Sequence, residues 1–516
     1  MLELANGHTS WWQPLLGGMA PETDGLLPYW LGAWAIQLAP AWMAPDLAAR
    51  FPFAGLLALT LIATWYGVYC LALGPRAQPV AFAFGGEARP KDYARAVADG
   101  GLLALIACLG LAQLSHEVTA YLTQLAFGAL AFFAIAASPY HPKQACAGLL
   151  LGLAGLVLSG APALAVLFGA GGALLAVLEA RQDPEARAAL LRWAALAALV
   201  TVAAALLGWW TDVWAWRLSA PAFDRSWASL GRLLFWFTWP TWPLALWTLW
   251  RWRRQLAALE VHRHLALPAW FAAIALFATL STEPADRALL LGLPALAALA
   301  AFALPTLSRS VAALVDWFTL LFFTGSAITI WVIWVAMQTG FPRQPAANVA
   351  KLAPGFVASF SWLALLLALA ATLAWAWLVR WRIGRHQSAL WKSVVLPAGG
   401  AALCWLLLMT LWLPLLDYAR SYGAQVQQAS AVLGPTKCLS FDGFSRAQVA
   451  AFQYHGKLRL YPASDTQRCE WLAVYPEPEP VDALANVAAP TDWTLVATIP
   501  RPADRRETVQ LYRRRF

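Results

Sequence analysis

Charged residues are scarce in this sequence. They make up 12% of the 516 residues, whereas hydrophobic residues make up 60%. A soluble chain of this length carries about twice that charged fraction. The apolar residues also form long runs, such as 313–337 and 354–379, and each run is long enough to cross about 30 Å of hydrocarbon as a helix. The composition therefore excludes a soluble protein and predicts an integral membrane protein with many spans.

Several recognisable sequence signatures are also missing. The chain has no phosphate-binding loop, dinucleotide fingerprint, zinc-protease motif, nucleophile motif or Cys-x-x-Cys pair. Its net charge of +9 is not accompanied by a basic stripe interleaved with aromatic residues, so we expect no nucleic-acid partner. In a membrane protein, an excess of Lys and Arg is better explained by cytoplasmic loops that fix the orientation.

The apolar runs predict about twelve membrane helices. The run 146–179 is too long for one crossing and is interrupted by Ser159-Gly160-Ala161-Pro162, which favours a tight reversal. A single long kinked helix is the alternative, and it would invert every later crossing. The predicted spans are 51–73, 100–115, 118–137, 146–158, 162–179, 190–209, 231–250, 266–280, 287–304, 313–338, 353–379 and 394–416.

The distribution of basic residues favours the reversal. With it, one set of loops holds seventeen Lys and Arg residues, from Arg76 to Lys392. Because the richer set faces the cytoplasm, residues 417–516 are predicted to lie on the periplasmic side of a bacterial inner membrane. The opposite loops before that domain hold only Arg217, Arg225, Arg287, Arg343 and Lys351.

The beginning of the chain is predicted to lie on the same outer side. Residues 1–49 contain no Lys or Arg. The apolar segment 26–40 carries Tyr29, Trp30 and Trp34 but is too short to cross, so we predict a helix on the outer membrane surface. Residues 1–50 then form an outer loop with a surface helix, and the first crossing of the given chain follows it.

The last hundred residues have the pattern of a small water-facing domain. Five short alternating segments surround a helical pattern at 445–455, which indicates an α/β domain. Cys438 and Cys469 both lie in it and can form a disulfide in an oxidising compartment. The predicted fold class is an all-α polytopic membrane domain at 51–416, followed by an extracytoplasmic α/β domain at 417–516.

Acidic residues near the predicted outer helix ends are candidates for catalysis. Glu22 and Asp24 lead into the surface helix, and a solvated loop is the alternative explanation for them. Ser115-His116-Glu117 lies between two apolar runs, where a His beside a carboxylate is costly unless it is paired or hydrated. A helix N-cap explains this tripeptide equally well.

Basic residues at the same predicted level are candidates for binding phosphate. The loop 210–230 places Arg225 among tryptophans, Arg232 follows at a helix end, and Arg287 closes a short outer turn. A guanidinium group can form two parallel bonds to the phosphate oxygens of a lipid. An ordinary aromatic belt with ion pairs is an equally good explanation of the loop.

Several segments resemble a known enzyme family. Gly25-Leu26-Leu27-Pro28-Tyr29-Trp30 and Ala48-Ala49-Arg50-Phe51-Pro52 are similar to the first outer loop of glycosyltransferases with the GT-C fold that use polyprenyl-phosphate sugars. The protein O-mannosyltransferases and the lipid A aminoarabinose transferase are of this kind. Further similar segments are Leu158–Pro162, Leu234–Phe237 and Trp242-Pro243. The resemblance covers most of the membrane region through loose motifs, and the tail is similar in placement only.

The resemblance implies transfer of a sugar, with inversion, from a polyprenyl phosphate to a glycolipid, a lipid A-like molecule or a protein. An outer carboxylate would act as the base, for which the candidates are Glu117, Asp24 and Glu22. Groups that would bind the donor and its phosphate are His116, Arg225, Arg232, Arg287 and Tyr29. Membrane lipid is a further expected partner. No cofactor is firmly implied, and a divalent metal ion stays open.

The sequence also departs from the family's pattern. The family's Lys aligns with Asp24 and its Glu with Thr23, and its first helix with an acidic pair would precede Met1. We therefore expect one more helix upstream and weak or no activity in the chain as given, with Glu117 the best substitute base. A flippase or transporter of lipid-linked sugars and an inactive relative are the alternatives. Charges at helix ends rather than near the bilayer midplane favour the transferase.

Overall fold

Two compact units make up the chain in our computed structural model. The first comprises Met1–Trp11, Thr23–Thr324 and Leu373–Trp405, and the second comprises Trp12–Glu22, Gly325–Thr372 and Leu406–Phe516. The structure describes residues 1–21, 25–79, 88–214, 227–257, 260–282, 285–383, 390–463, 469–475, 493–502, 504 and 507–515.

Helices dominate both units. A π-helical turn, Leu408–Trp412, continues the nineteenth helix into the twentieth, and short 3-10 turns lie at Pro75–Ala77 and Leu304–Thr306. In chain order the helices are Leu2–Ala5 (α1), Leu27–Leu38 (α2), Pro45–Leu73 (α3), Pro90–Ala107 (α4), Leu109–Leu114 (α5), Ala120–Ala137 (α6), Pro142–Leu158 (α7), Pro162–Ala180 (α8), Arg187–Trp210 (α9), Trp227–Phe237 (α10), Thr241–Arg251 (α11), Arg253–Ala257 (α12), Arg263–Ser281 (α13), Ala285–Leu290 (α14), Leu293–Ala303 (α15), Arg309–Thr339 (α16), Arg343–Leu352 (α17), Trp362–Ile383 (α18), Lys392–Leu407 (α19), Leu413–Arg420 (α20), Gly423–Leu433 (α21) and Arg446–Gly456 (α22).

Many of these helices have the length and composition of membrane spans, which confirms a multi-pass membrane protein. Within the described ranges, eight helical stretches are long and apolar enough to cross: α3, α6, α8, α9, α13, α16, α18 and Lys392–Arg420. The predicted reversal is also present, because α7 ends at Leu158 and α8 begins at Pro162. Gly160 adopts a left-handed backbone (φ +81°) between them, and Pro162 starts the next helix at no cost in hydrogen bonds.

Four of the predicted spans are not helical along their whole length. The span 100–115 is divided at Cys108, whose backbone is extended (ψ 121°), and 231–250 is divided between Phe237 and Thr241. The span 287–304 is divided between α14 and α15, and 353–379 becomes helical only at Trp362. Apolar composition predicts that a segment is buried or in lipid, but it does not reveal where the backbone leaves the helix.

The core of the first unit surrounds α6. This helix packs against α3 and α7, and it is the most buried of the candidate spans. A helix that is apolar on all sides belongs at the centre of a bundle. Large side chains fill the space around it: Phe168 stacks on Phe271 with ring centres 3.9 Å apart, and Phe132 meets the same ring edge to face.

The second unit contains a five-stranded sheet, which confirms the predicted α/β domain. The strand order is β2-β1-β3-β5-β4, with β1 parallel to β2 and β3, and β5 antiparallel to β3 and β4. α22 connects β1 to β2 and begins with a capping box between Ser445 and Gln448. The strands are Cys438–Asp442 (β1), Arg459–Pro462 (β2), Trp471–Val474 (β3), Trp493–Pro500 (β4) and Thr508–Arg514 (β5).

A disulfide and a packed segment of the chain stabilise this sheet. Cys438 and Cys469, whose Cα atoms are 5.4 Å apart, form a disulfide between the start of β1 and the residues before β3. A segment from the beginning of the chain also packs on the domain: Leu16 and Met19 contact its core, and Arg446 donates a 2.7 Å hydrogen bond to the Ala20 carbonyl. No sequence pattern predicts that contact.

Candidate active site

Glu117 and Arg287 form an ion pair in the first unit. Glu117 lies in the turn between α5 and α6, and Arg287 lies on α14, which packs against both helices. The Glu117 Oε2 atom is 3.4 Å from the Arg287 Nη2 atom, and about a quarter of each side chain is exposed (29% and 25%). The guanidinium carbon also lies 5.5 Å from the centre of the Tyr121 ring. The fold thus brings a predicted base into contact with a predicted phosphate ligand, although the two residues are far apart in the sequence.

His116 faces a different set of neighbours. Its ring centre is 5.0 Å from that of Trp405 on α19. Partial burial, and secondly the positive charge of Arg50 in the first turns of α3, lower the pKa of His116 below its ordinary value. His116 is therefore neutral near pH 7 and can donate or accept a hydrogen bond. Arg50, Tyr121 and Trp405 were not predicted for the site from the sequence, although Arg50 lies in one of the segments that resemble the enzyme family.

The segment that leads into α2 lies against the turn between α7 and α8. The Leu26 amide donates a 2.7 Å hydrogen bond to the Leu158 carbonyl. A Cβ atom on Gly25 would lie 2.3 Å from the carbonyl carbon of Ser159, so only glycine fits there. The buried Gln124 amide group donates a 2.8 Å hydrogen bond to the Ser159 carbonyl from the other side. Two segments that resemble one enzyme family at separate places in the sequence therefore meet in the structure.

The chain superposes over almost its full length on solved structures of one protein. It matches ArnT from Cupriavidus metallidurans bound to undecaprenyl phosphate with a TM-score of 0.58 and 15% identity, over 99% of this chain and 91% of ArnT. The apo structure of that ArnT matches over the same shares with a TM-score of 0.58 and 16% identity. This chain has the GT-C fold. The sequence itself matches no model of a known family and no curated protein.

Only some of the other predicted site residues lie in the parts of the chain that the structure describes. Arg232 lies on α10, which packs against α5 and α14, and its side chain is exposed without an ion pair to any described residue. Tyr29 is partly buried in the first turn of α2. The predicted site residues Glu22, Asp24 and Arg225 lie outside the residues that the structure describes. Among described residues, no group of three His, Cys, Asp or Glu side chains could hold a metal ion.

The chemistry available at this position of the GT-C fold is that of a carboxylate surrounded by cations and aromatic rings. Glu117 can accept a proton from a hydroxyl group, and the positive charge of Arg287 beside it attracts an anion. Arg50 adds a second cation near His116. The rings of Tyr121 and Trp405 offer apolar faces for a sugar. We refer below to Arg50, His116, Glu117, Tyr121, Arg287 and Trp405 as the outer cluster.

Proposed function

We propose that this chain is a membrane glycosyltransferase that takes a sugar from a polyprenyl phosphate and transfers it, with inversion, to a glycolipid, lipid A-like or protein acceptor. The Glu117–Arg287 pair is the observation that carries the proposal. The similarity in fold to a structure of ArnT bound to undecaprenyl phosphate supports the proposed class of donor. The sequence predicted Glu117 as a catalytic base, and His116 and Arg287 as ligands of the donor and its phosphate.

In the proposed reaction, the glycosyl carbon leaves its phosphate oxygen and bonds to an acceptor oxygen that approaches from the opposite face. Glu117 takes the proton of the acceptor hydroxyl as that bond forms. The lipid phosphate leaves as an anion, and Arg287 and Arg50 stabilise its charge in a partly dry site, where such contacts are strongest. Arg232, Arg225 and Tyr29 stay proposed donor ligands, and Glu22 and Asp24 stay alternative bases.

The proposed location is the inner membrane of a bacterium, with the outer cluster and residues 417–516 on the periplasmic side. The excess of basic residues in the opposite loops supports this orientation. A reporter fused after Phe516 that is active only in the periplasm tests it. A reporter active only in the cytoplasm would reverse the orientation.

The competing function is transport of a lipid-linked sugar without chemistry. Transporters usually place charged groups near the bilayer midplane. Here the Asp316–Arg382 pair joins α16 to α18 near the end of each helix, since Asp316 is seven residues into α16 and Arg382 is one residue before the end of α18. The Glu179–Arg263 pair likewise lies at the ends of α8 and α13. This placement supports surface chemistry over transport.

The test uses the full chain in proteoliposomes with a polyprenyl-phosphate sugar labelled in the sugar. We expect slow transfer of labelled sugar to an acceptor lipid, in line with the weak activity that the departures from the family pattern predict, and release of free polyprenyl phosphate. Glu117→Gln should lower the rate by about 10²-fold or more, because a positioned base contributes that much. Glu185→Gln, an exposed carboxylate after α8, should leave the rate unchanged. Full activity of the Glu117→Gln variant would show that Glu117 is not the base. Movement of the intact donor across the bilayer would instead favour the transporter function.

A further inference from the structure

A second cluster of charge lies at the beginning of α4. An open cavity of about 490 Å³ is lined there by Arg89, Pro90, Lys91, Asp92 and Arg95. This cavity belongs to the other end of the bundle from the outer cluster. The long helix α3 begins at Pro45, close to Arg50, and ends at Leu73, whereas α4, which packs against it, begins at Pro90.

The lining of this cavity has an unbalanced positive charge. Asp92 is paired with Arg95, whose Nη1 atom is 3.8 Å from the carboxylate. Arg89 and Lys91 are exposed, and neither makes an ion pair with any described residue. Three cations and one carboxylate leave a net charge of +2, so the cavity suits an anion.

The first turns of α4 show which way these side chains face. Tyr93 and Ala94 are buried against the bundle, whereas Lys91, Asp92 and Arg95 are exposed. α3 next to them is one of the candidate membrane spans, and the charged Arg76 follows its end closely. The cations therefore lie at the level where an apolar helix surface gives way to water, which is where lipid headgroups are found.

We propose that the α4 cavity binds the phosphate of an anionic phospholipid headgroup. The guanidinium of Arg89 can make two parallel bonds to phosphate oxygens, and Lys91 adds a compact second cation. The cavity volume falls within the range of small-ligand sites. Basic pockets beside membrane helices commonly hold anionic lipid headgroups. This inference is independent of the proposed sugar transfer, since it uses none of the outer cluster.

The experiment compares lipid retention by the full chain purified in detergent and mixed with phosphatidylglycerol or phosphatidylcholine. Native mass spectrometry counts the bound lipids. We expect phosphatidylglycerol to be retained in preference to phosphatidylcholine, and Arg89→Gln/Lys91→Gln to lower that retention about tenfold. The control, Arg187→Gln/Arg192→Gln, removes two exposed cations from α9 and should retain phosphatidylglycerol like the wild type.

Three outcomes would overturn the proposal. One is equal retention of the two lipids by the wild type, and another is an equal loss in both double variants, which would indicate a general effect of net charge. The third is complete displacement of phosphatidylglycerol by millimolar inorganic phosphate, which would point to a soluble phosphate ligand. Melting temperatures of all variants establish that the glutamine variants remain folded.

Discussion

Gly25 lies in direct contact with the peptide backbone of Ser159. The approach is so close that a Cβ atom at residue 25 would come within 2.3 Å of the Ser159 carbonyl carbon. The adjacent hydrogen bond from Leu26 to Leu158 fixes the same contact. The entrance to α2 is thus attached to the turn between two membrane helices, and the contact holds the predicted surface helix to the bundle.

Gly25→Ala should destabilise the protein because the backbone of Ser159 cannot move aside as a flexible side chain could. Overpacking of this kind costs about 1 to 3 kcal/mol, so we expect a lower melting temperature in detergent. Gly55→Ala is the matched control, since a Cβ atom there meets nothing within 4 Å. That variant should be neutral or slightly stabilised, as Ala favours helix more than Gly does. An unchanged melting temperature for Gly25→Ala would contradict the contact.

His116 should make the folded state sensitive to acid. Its pKa is lowered, first by burial and then by Arg50, so the folded state resists protonation that the unfolded state accepts below its ordinary pKa of about 6.5. Stability should therefore fall as the pH drops below about 6.5. His116→Gln should melt like the wild type at pH 8 but lose less stability than the wild type at pH 5. Parallel losses in both proteins would show that His116 does not contribute.

Removing one partner of the Asp316–Arg382 ion pair should destabilise the protein more than replacing both partners with apolar residues. Both side chains are largely buried, with 17% and 18% exposed. Asp316→Asn leaves the Arg382 charge without its partner and should cost about 3 kcal/mol, whereas Asp316→Leu/Arg382→Met should cost much less. Melting temperatures of the single and double variants in detergent measure the coupling energy between Asp316 and Arg382. Additive losses would mean that the two residues act independently.

The thiols of the protein should fall into two classes. Cys70, Cys108, Cys146 and Cys404 are free, and Cys438 is bonded to Cys469. Denatured protein without reductant should therefore bind four equivalents of a thiol reagent, and reduced protein six. Cys438→Ser/Cys469→Ser should lower the stability of the C-terminal sheet by about 3 to 4 kcal/mol, because the bond closes a loop with a sequence separation of 31. Six reactive thiols before reduction would exclude the bond.

The sequence predicted those parts of the fold that depend on local pattern. Hydropathy identified α3, α6, α8 and α9 because the transfer of a segment into lipid depends on its own composition. Alternation identified all five strands, since the period of two follows from strand geometry. The breaks in the helices at Cys108 and before Thr241 were missed, because backbone geometry at a single residue has little effect on an averaged hydropathy.

Several residues of the candidate site could be predicted from the sequence, but the contacts between them could not. Glu117 was selected as a costly polar residue between apolar runs, and Arg287 as the basic residue of a short outer turn. Their contact depends on the packing of α14 against α5 and α6. Trp405 carried no signal, since a tryptophan at a helix end is common in membrane proteins. Its position against His116 follows from tertiary structure alone.

The disulfide also determines how the small domain can be taken apart. Cys438 and Cys469 enclose α22 and β2 in a covalent ring. A protease that cuts one peptide bond within that ring leaves a single molecule, heavier by one water and unchanged in its migration on a denaturing gel without reductant. Only reduction releases the two pieces, so a nick in α22 can be told from a nick in α21 by the reductant alone.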